Sequence, residues 1–177
     1  MIRLFAAIAI PEHIGEPLQQ RQQGLPGARW RPLEALHITL RFMGDIREDI
    51  ADDLDAELST VASEPFELSL AGTGHFGEGD DIHAIWAGVV DSAPLRQLQK
   101  RCEAAARRAG LAAETRAYLP HVTLAYLKRP EPARVAAWEQ DHNLLHSPPF
   151  RVDRFGLYSS HQTREGSVYR QENSYLF

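Results

Sequence analysis

Apolar and polar residues alternate with period two in two short stretches of this chain. In His37-Ile38-Thr39-Leu40, and again in His121-Val122-Thr123-Leu124, the apolar residues mark one strand face as core and leave His and Thr together on the other. The pattern predicts one strand over residues 36–43, closed by Gly44-Asp45, and a second that starts after Pro120. The copies lie 84 residues apart, and the same offset carries Pro65-Phe66 onto Pro149-Phe150, each opening a predicted strand. A shared offset at two separate places points to internal duplication.

Around these strands the pattern predicts an α+β chain. Ile2 to Ile10 is a short apolar run ended by Pro11 and reads as a buried strand. Helical spacing of apolar residues predicts helices from Pro11 to about Gly24, over 47–62 with an acidic solvated face, over 93–109, and from Pro130 to about Leu145. Further strands are expected over 66–71, 82–90, 150–158 and 167–177. Residues 72–81 read as a Gly-rich hairpin loop whose Phe76 borders a cleft; the loop lacks the spacing of a Walker motif. A second loop is expected from Ser159 to Gly166. The expected fold is α+β: a duplicated bilobal architecture with two mostly antiparallel sheets facing a central cleft and helices on the outer faces. It forms one domain, 1–177, of two repeats, about 1–90 and 91–177.

Composition narrows the class. With 177 residues and 44% apolar content, the chain can bury a sizeable core. The single Cys102 rules out an internal disulfide framework, and it lies on the apolar stripe of its helix as a small buried hydrophobe. No signal segment and no long apolar run is present, so a reducing, cytoplasmic setting away from membranes is expected. The net charge of −5 argues against nonspecific coating of nucleic acid but leaves room for gripping one terminal phosphate.

Two facing His-x-Thr strands suit acid-base chemistry at a phosphodiester. Imidazole titrates near neutrality, so one copy can accept a proton from water while the other donates to the leaving oxygen, and the Thr39 and Thr123 hydroxyls can donate to the non-bridging oxygens. This chemistry needs no metal and no cofactor. Of the other histidines, His142 and His146 have i, i+4 spacing on a predicted helix but no third ligand, and none is given a role.

At these residues the chain resembles the 2H phosphoesterase family, named for two H-x-T/S-x motifs in a duplicated bilobal fold. Within it, the chain is similar to the bacterial and archaeal RNA 2′,3′-cyclic phosphodiesterases, also called 2′-5′ RNA ligases. The likeness runs through Arg3-Leu4-Phe5, Ile10-Pro11, Ala28-Arg29-Trp30, Leu36 to Gly44, and Pro120 to Leu124. It implies hydrolysis of 2′,3′-cyclic phosphate at RNA ends, tRNA fragments among them, or of cyclic nucleotides, to a 2′-phosphate by a monomer. By the same likeness, His37 protonates the leaving 3′ oxygen and His121 activates water; the near symmetry of the motifs leaves the converse open.

Some relatives carry an Arg five residues after the second motif His, where this chain has Tyr126. Arg41, Lys128 and Arg129 are the unranked replacements, and an unbulged strand would aim Arg41 into the cleft. Phe42 is either a base-stacking residue or core, and strand parity favours core. The rival readings are ATP-independent 2′-5′ ligation, another RNA 3′-end esterase activity, and an RNA-end binding module without turnover.

Overall fold

The apolar N-terminal run forms the strand on which the largest sheet is built. In the computed structural model, which describes residues 1–177, β1 (Ile2–Ala9) has Leu4 to Ile8 buried without interruption, as expected of a strand covered on both faces. It is followed by α1 (Glu12–Gln19), β2 (Arg29–Trp30), a 3₁₀ turn (Leu33–Ala35), β3 (His37–Ile46) and α2 (Glu48–Leu58). Next come β4 (Phe66–Leu68), β5 (Leu70–Phe76), a second 3₁₀ turn (Gly79–Asp81), β6 (Ala84–Val89), α3 (Ala93–Arg108) and β7 (His121–Tyr126). The chain ends with α4 (Pro132–His142), β8 (Phe150–Val152), β9 (Arg154–Thr163) and β10 (Gly166–Leu176).

The strands are antiparallel and lie in the order β10-β9-β1-β3-β7-β6-β5, with β2 added beside β7 and β4 paired with β8 in a separate small sheet. The two expected sheets therefore meet edge to edge as one large sheet. Their junction is a single backbone pair, Ile38 opposite Val122. In the small sheet Glu67 faces Arg151. Both pairs join residues 84 apart, the offset at which the motif recurs.

With the two-residue β2 set aside, the order strand, helix, strand, helix, strand runs once from β1 and again from β6, which begins at Ala84. Strands also cross between halves: β5 pairs with β6, while β9 and β10 extend the sheet from β1. The helices carry the core. Leu95, Leu98, Cys102 and Ala105 of α3 are fully buried, and burial pushes the Cys102 thiol up to about 12, as befits a buried hydrophobe. Ser92 caps α3, its Oγ accepting from the Leu95 N–H at 3.2 Å.

Several boundaries differ from the sequence expectation. Gly44-Asp45 does not end β3; Gly44 takes φ 76° beside a bulge and the strand runs on to Ile46. Much of the Gly-rich stretch is strand: Gly74 faces Trp86 across the β5–β6 ladder, and a Cβ there would stand 2.4 Å from the indole, so glycine is needed for packing. The expected Ser159–Gly166 loop is mostly strand too, because β9 reaches Thr163 and β10 resumes at Gly166. α4 stops at His142, which leaves His146 outside the helix and removes the i, i+4 relationship; the Arg21 guanidinium reaches His142 Nδ1 at 3.0 Å.

Candidate active site

The junction of β3 and β7 brings the two motifs together. With Ile38 level with Val122 on antiparallel strands, the register sets His37 across from Thr123 and Thr39 across from His121 on one face. Ile38, Leu40, Val122 and Leu124 face the core and are buried, whereas the two histidines and two threonines are half-buried.

Each histidine is anchored in the same way. His37 Nδ1–H donates to the Ala35 carbonyl at 2.7 Å and His121 Nδ1–H to the Leu119 carbonyl at 2.8 Å, which selects the tautomer with an unprotonated Nε2. Exposed His83 makes the same local contact to the Asp81 carbonyl, so the bond alone does not mark a site. Position in the shared face does.

Aromatic rings wall each imidazole. His37 stacks on Phe5 at 4.9 Å and meets the edge of Tyr169 at 5.2 Å. His121 meets Phe76 edge-on at 4.7 Å, with Trp86 at 6.2 Å. Phe76 of the Gly-rich stretch thus lies against His121. Phe5, Tyr169 and Trp86 come from strands distant in sequence, and neither Tyr169 nor Trp86 carried a local signal.

Burial disfavours the imidazolium at both positions. His37 is brought down to about 4, first by burial and further by the positive charge of Arg31 and by His121, against the Ala35 carbonyl, which favours its protonated form. His121 is also lowered by burial, opposed by the Leu119 carbonyl.

A bulge reverses the facing that an unbulged strand would give Arg41 and Phe42. β3 slips register against β1 between Ala7↔Thr39 and Ala6↔Arg41, so Leu40 is the extra residue and the faces exchange after it. Arg41 therefore lies buried against α3, its Nε bonded to Glu103 and its Nη2 to the Ala112 carbonyl, away from the cleft. Phe42 is 44% exposed instead of core. β7 bulges at the matching place, Leu124, and this turns Tyr126 out of the core face.

Tyr126 lies beside a residue that the sequence did not single out. Arg31 is 7% exposed, and its guanidinium stands 5.4 Å from the Tyr126 ring and 5.0 Å from the Tyr169 ring. Lys128 and Arg129 follow β7 on the exposed turn before α4. No group of three or more His, Cys, Asp or Glu side chains is gathered closely enough to share a metal ion. No helix is long and apolar enough to cross a membrane.

The profile of the 2′-5′ RNA ligase superfamily matches residues 10–164. The chain belongs to that superfamily. Among members of this 2H phosphoesterase group, the RNA 2′,3′-cyclic phosphodiesterase of Archaeoglobus fulgidus is 27% identical over 172 residues, covering 96% of this chain and 97% of that protein. The enzyme of the same name from Aeropyrum pernix is 32% identical over 140 residues, 77% of this chain and 79% of its own. Among solved structures, a Thermus thermophilus protein superposes with a TM-score of 0.81 at 25% identity over 99% of this chain and 97% of its own. Escherichia coli LigT complexed with 3′-AMP gives 0.79 at 24% identity over 99% and 98%, a likeness of fold.

Proposed function

We propose that this superfamily member hydrolyses 2′,3′-cyclic phosphate ends of RNA, or the corresponding cyclic nucleotides, to 2′-phosphates, without a metal or cofactor. The observation that carries the reading is the pair of like-anchored imidazoles, His37 and His121, on one face with a threonine beside each. The names of the relatives support the substrate class. In the reaction, one neutral imidazole takes a proton from water as the water oxygen attacks phosphorus. The P–O3′ bond breaks, and the other imidazole, protonated, delivers its proton to O3′. Thr39 and Thr123 donate to the non-bridging oxygens as charge gathers there. One domain, 1–177, built from two rounds of the same element order and acting as a monomer, suffices for this chemistry.

The environments favour a division of labour opposite to the one the family likeness implies. His37 is held neutral most strongly and stands in the field of Arg31, which suits a general base. His121 has no such cation beside it and is the easier of the two to protonate, which suits the acid. Incubation with a 2′,3′-cyclic nucleotide, with products separated by chromatography, tests the function. The 2′-phosphate is expected as the sole product; persistence of the cyclic ester, bound or free, overturns the enzyme reading in favour of an end-binding module.

A further inference from the structure

We propose that Arg31 is the residue that grips the substrate phosphate in this chain, in place of a cation on β7. The inference rests on the phosphodiesterase reading for its ligand class, a phosphate ester anion, and goes beyond it in naming the anchor. Two arginines of the chain are buried, Arg31 at 7% and Arg41 at 8% exposed. Arg41 is matched by the Glu103 carboxylate, as a buried cation normally must be. Arg31 has no carboxylate within salt-bridge reach. Its Nη2 donates to the Ser167 carbonyl at 3.1 Å, one of five N–H donors in the fork, and the Tyr126 and Tyr169 rings lie within cation–π range.

The cation is held in place on its backbone. Arg31 N–H donates to the Leu124 carbonyl of β7 at 2.8 Å, and its own carbonyl accepts from Gln22 Nε2 at 2.9 Å. β2 runs beside the end of β7, with Arg29 opposite Tyr126, so a side chain leaving the end of β2 reaches the space that a long side chain at position 126 would occupy. Tyr126 then serves as a wall that holds the guanidinium through its ring face. Tyr169 is the other wall and also touches His37 at 5.2 Å, which places the cation next to the catalytic imidazole. An anion bound by the fork of Arg31 would therefore lie beside His37, where the reacting phosphorus must be.

Binding of inorganic phosphate, followed by calorimetry, tests the anchor apart from turnover. Arg31→Met should weaken phosphate binding by about 10- to 100-fold, the loss expected for a charge-assisted forked contact. Moving the cation in the double variant Arg31→Val, Tyr126→Arg should restore much of it. Unchanged affinity in a folded Arg31→Met variant overturns the proposal and leaves the phosphodiesterase reading standing. Normal phosphate binding without hydrolysis by the unaltered protein does the reverse. Should the variants not fold, the Arg31 Nε–H signal in the unaltered protein decides: it should shift saturably with phosphate, and a signal that stays fixed while the His37 ring responds overturns the assignment.

Discussion

Ile38 faces Val122 at the centre of the large sheet, and no other backbone pair joins the two strands that bear the histidines. A residue opposite its own counterpart at the repeat offset is what a twofold relation through that pair requires, and Glu67 opposite Arg151 repeats it in the small sheet. One pair brings the motifs together and leaves β3 and β7 unpaired with each other on either side of it. The neighbours of the two histidines differ: Phe5 and Tyr169 stand around His37, Phe76 and Trp86 around His121.

Removal of either imidazole should stop the reaction. His37→Ala and His121→Ala are each expected to lower kcat by about 10² to 10⁴, the range for loss of a general acid or base. The circular dichroism spectrum should be retained. Full activity in either variant would exclude the paired mechanism.

A substrate with sulfur in place of the bridging 3′ oxygen separates the two roles, because a thiolate leaves without being protonated. If His121 is the acid, the His121→Ala variant should recover at least about tenfold more of its lost rate on the thio substrate than His37→Ala does. Recovery confined to His37→Ala would restore the assignment that the family likeness implies.

Stability should fall on acidification. The unfolded chain binds a proton at His37 near 6.5, but the folded protein does not until about 4, so between these values the unfolded state holds more protons. The contribution is fully present above about pH 6.5 and is lost as pH falls towards 4, by at most about 3 kcal/mol for this residue. His121, lowered in the same direction, adds to the slope. Urea unfolding at pH 7, 5.5 and 4 measures it, and His37→Phe should flatten the profile; equal slopes in both proteins would contradict the burial account.

Arg41 and Arg31 should respond differently to the same change. Arg41→Met leaves Glu103 without its partner and is expected to cost about 3 kcal/mol of stability with little effect on phosphate affinity. A loss of phosphate affinity at Arg41 as large as at Arg31 would put Arg41 back in the cleft.

Chelation should leave the reaction intact. Activity on a cyclic nucleotide is expected to be unchanged by EDTA, with a bell-shaped dependence of kcat/KM on pH. Loss in EDTA that a divalent ion restores would require a metal-dependent mechanism.

By itself the sequence determined which strand faces carry the paired histidines and threonines. Strict period two in His37 to Leu40 and His121 to Leu124 separates core from cleft whatever the rest of the chain does, because a strand has only two faces. The offset of 84 residues marked Phe66 and Phe150 as opening corresponding strands, but that these two strands pair with each other was decided by the tertiary structure. Tertiary structure decided what lies one step past each motif. Bulges at Leu40 and Leu124 come from the register against β1 and β6, a relation between strands that no single strand encodes, and they sent Arg41 to the core and Phe42 to the surface. The same holds for Gly74, which reads as loop until Trp86 lies across it, and for Arg31, whose walls come from residues 126 and 169. Periodicity reports the environment along one strand; contacts between strands distant in sequence leave no periodic trace.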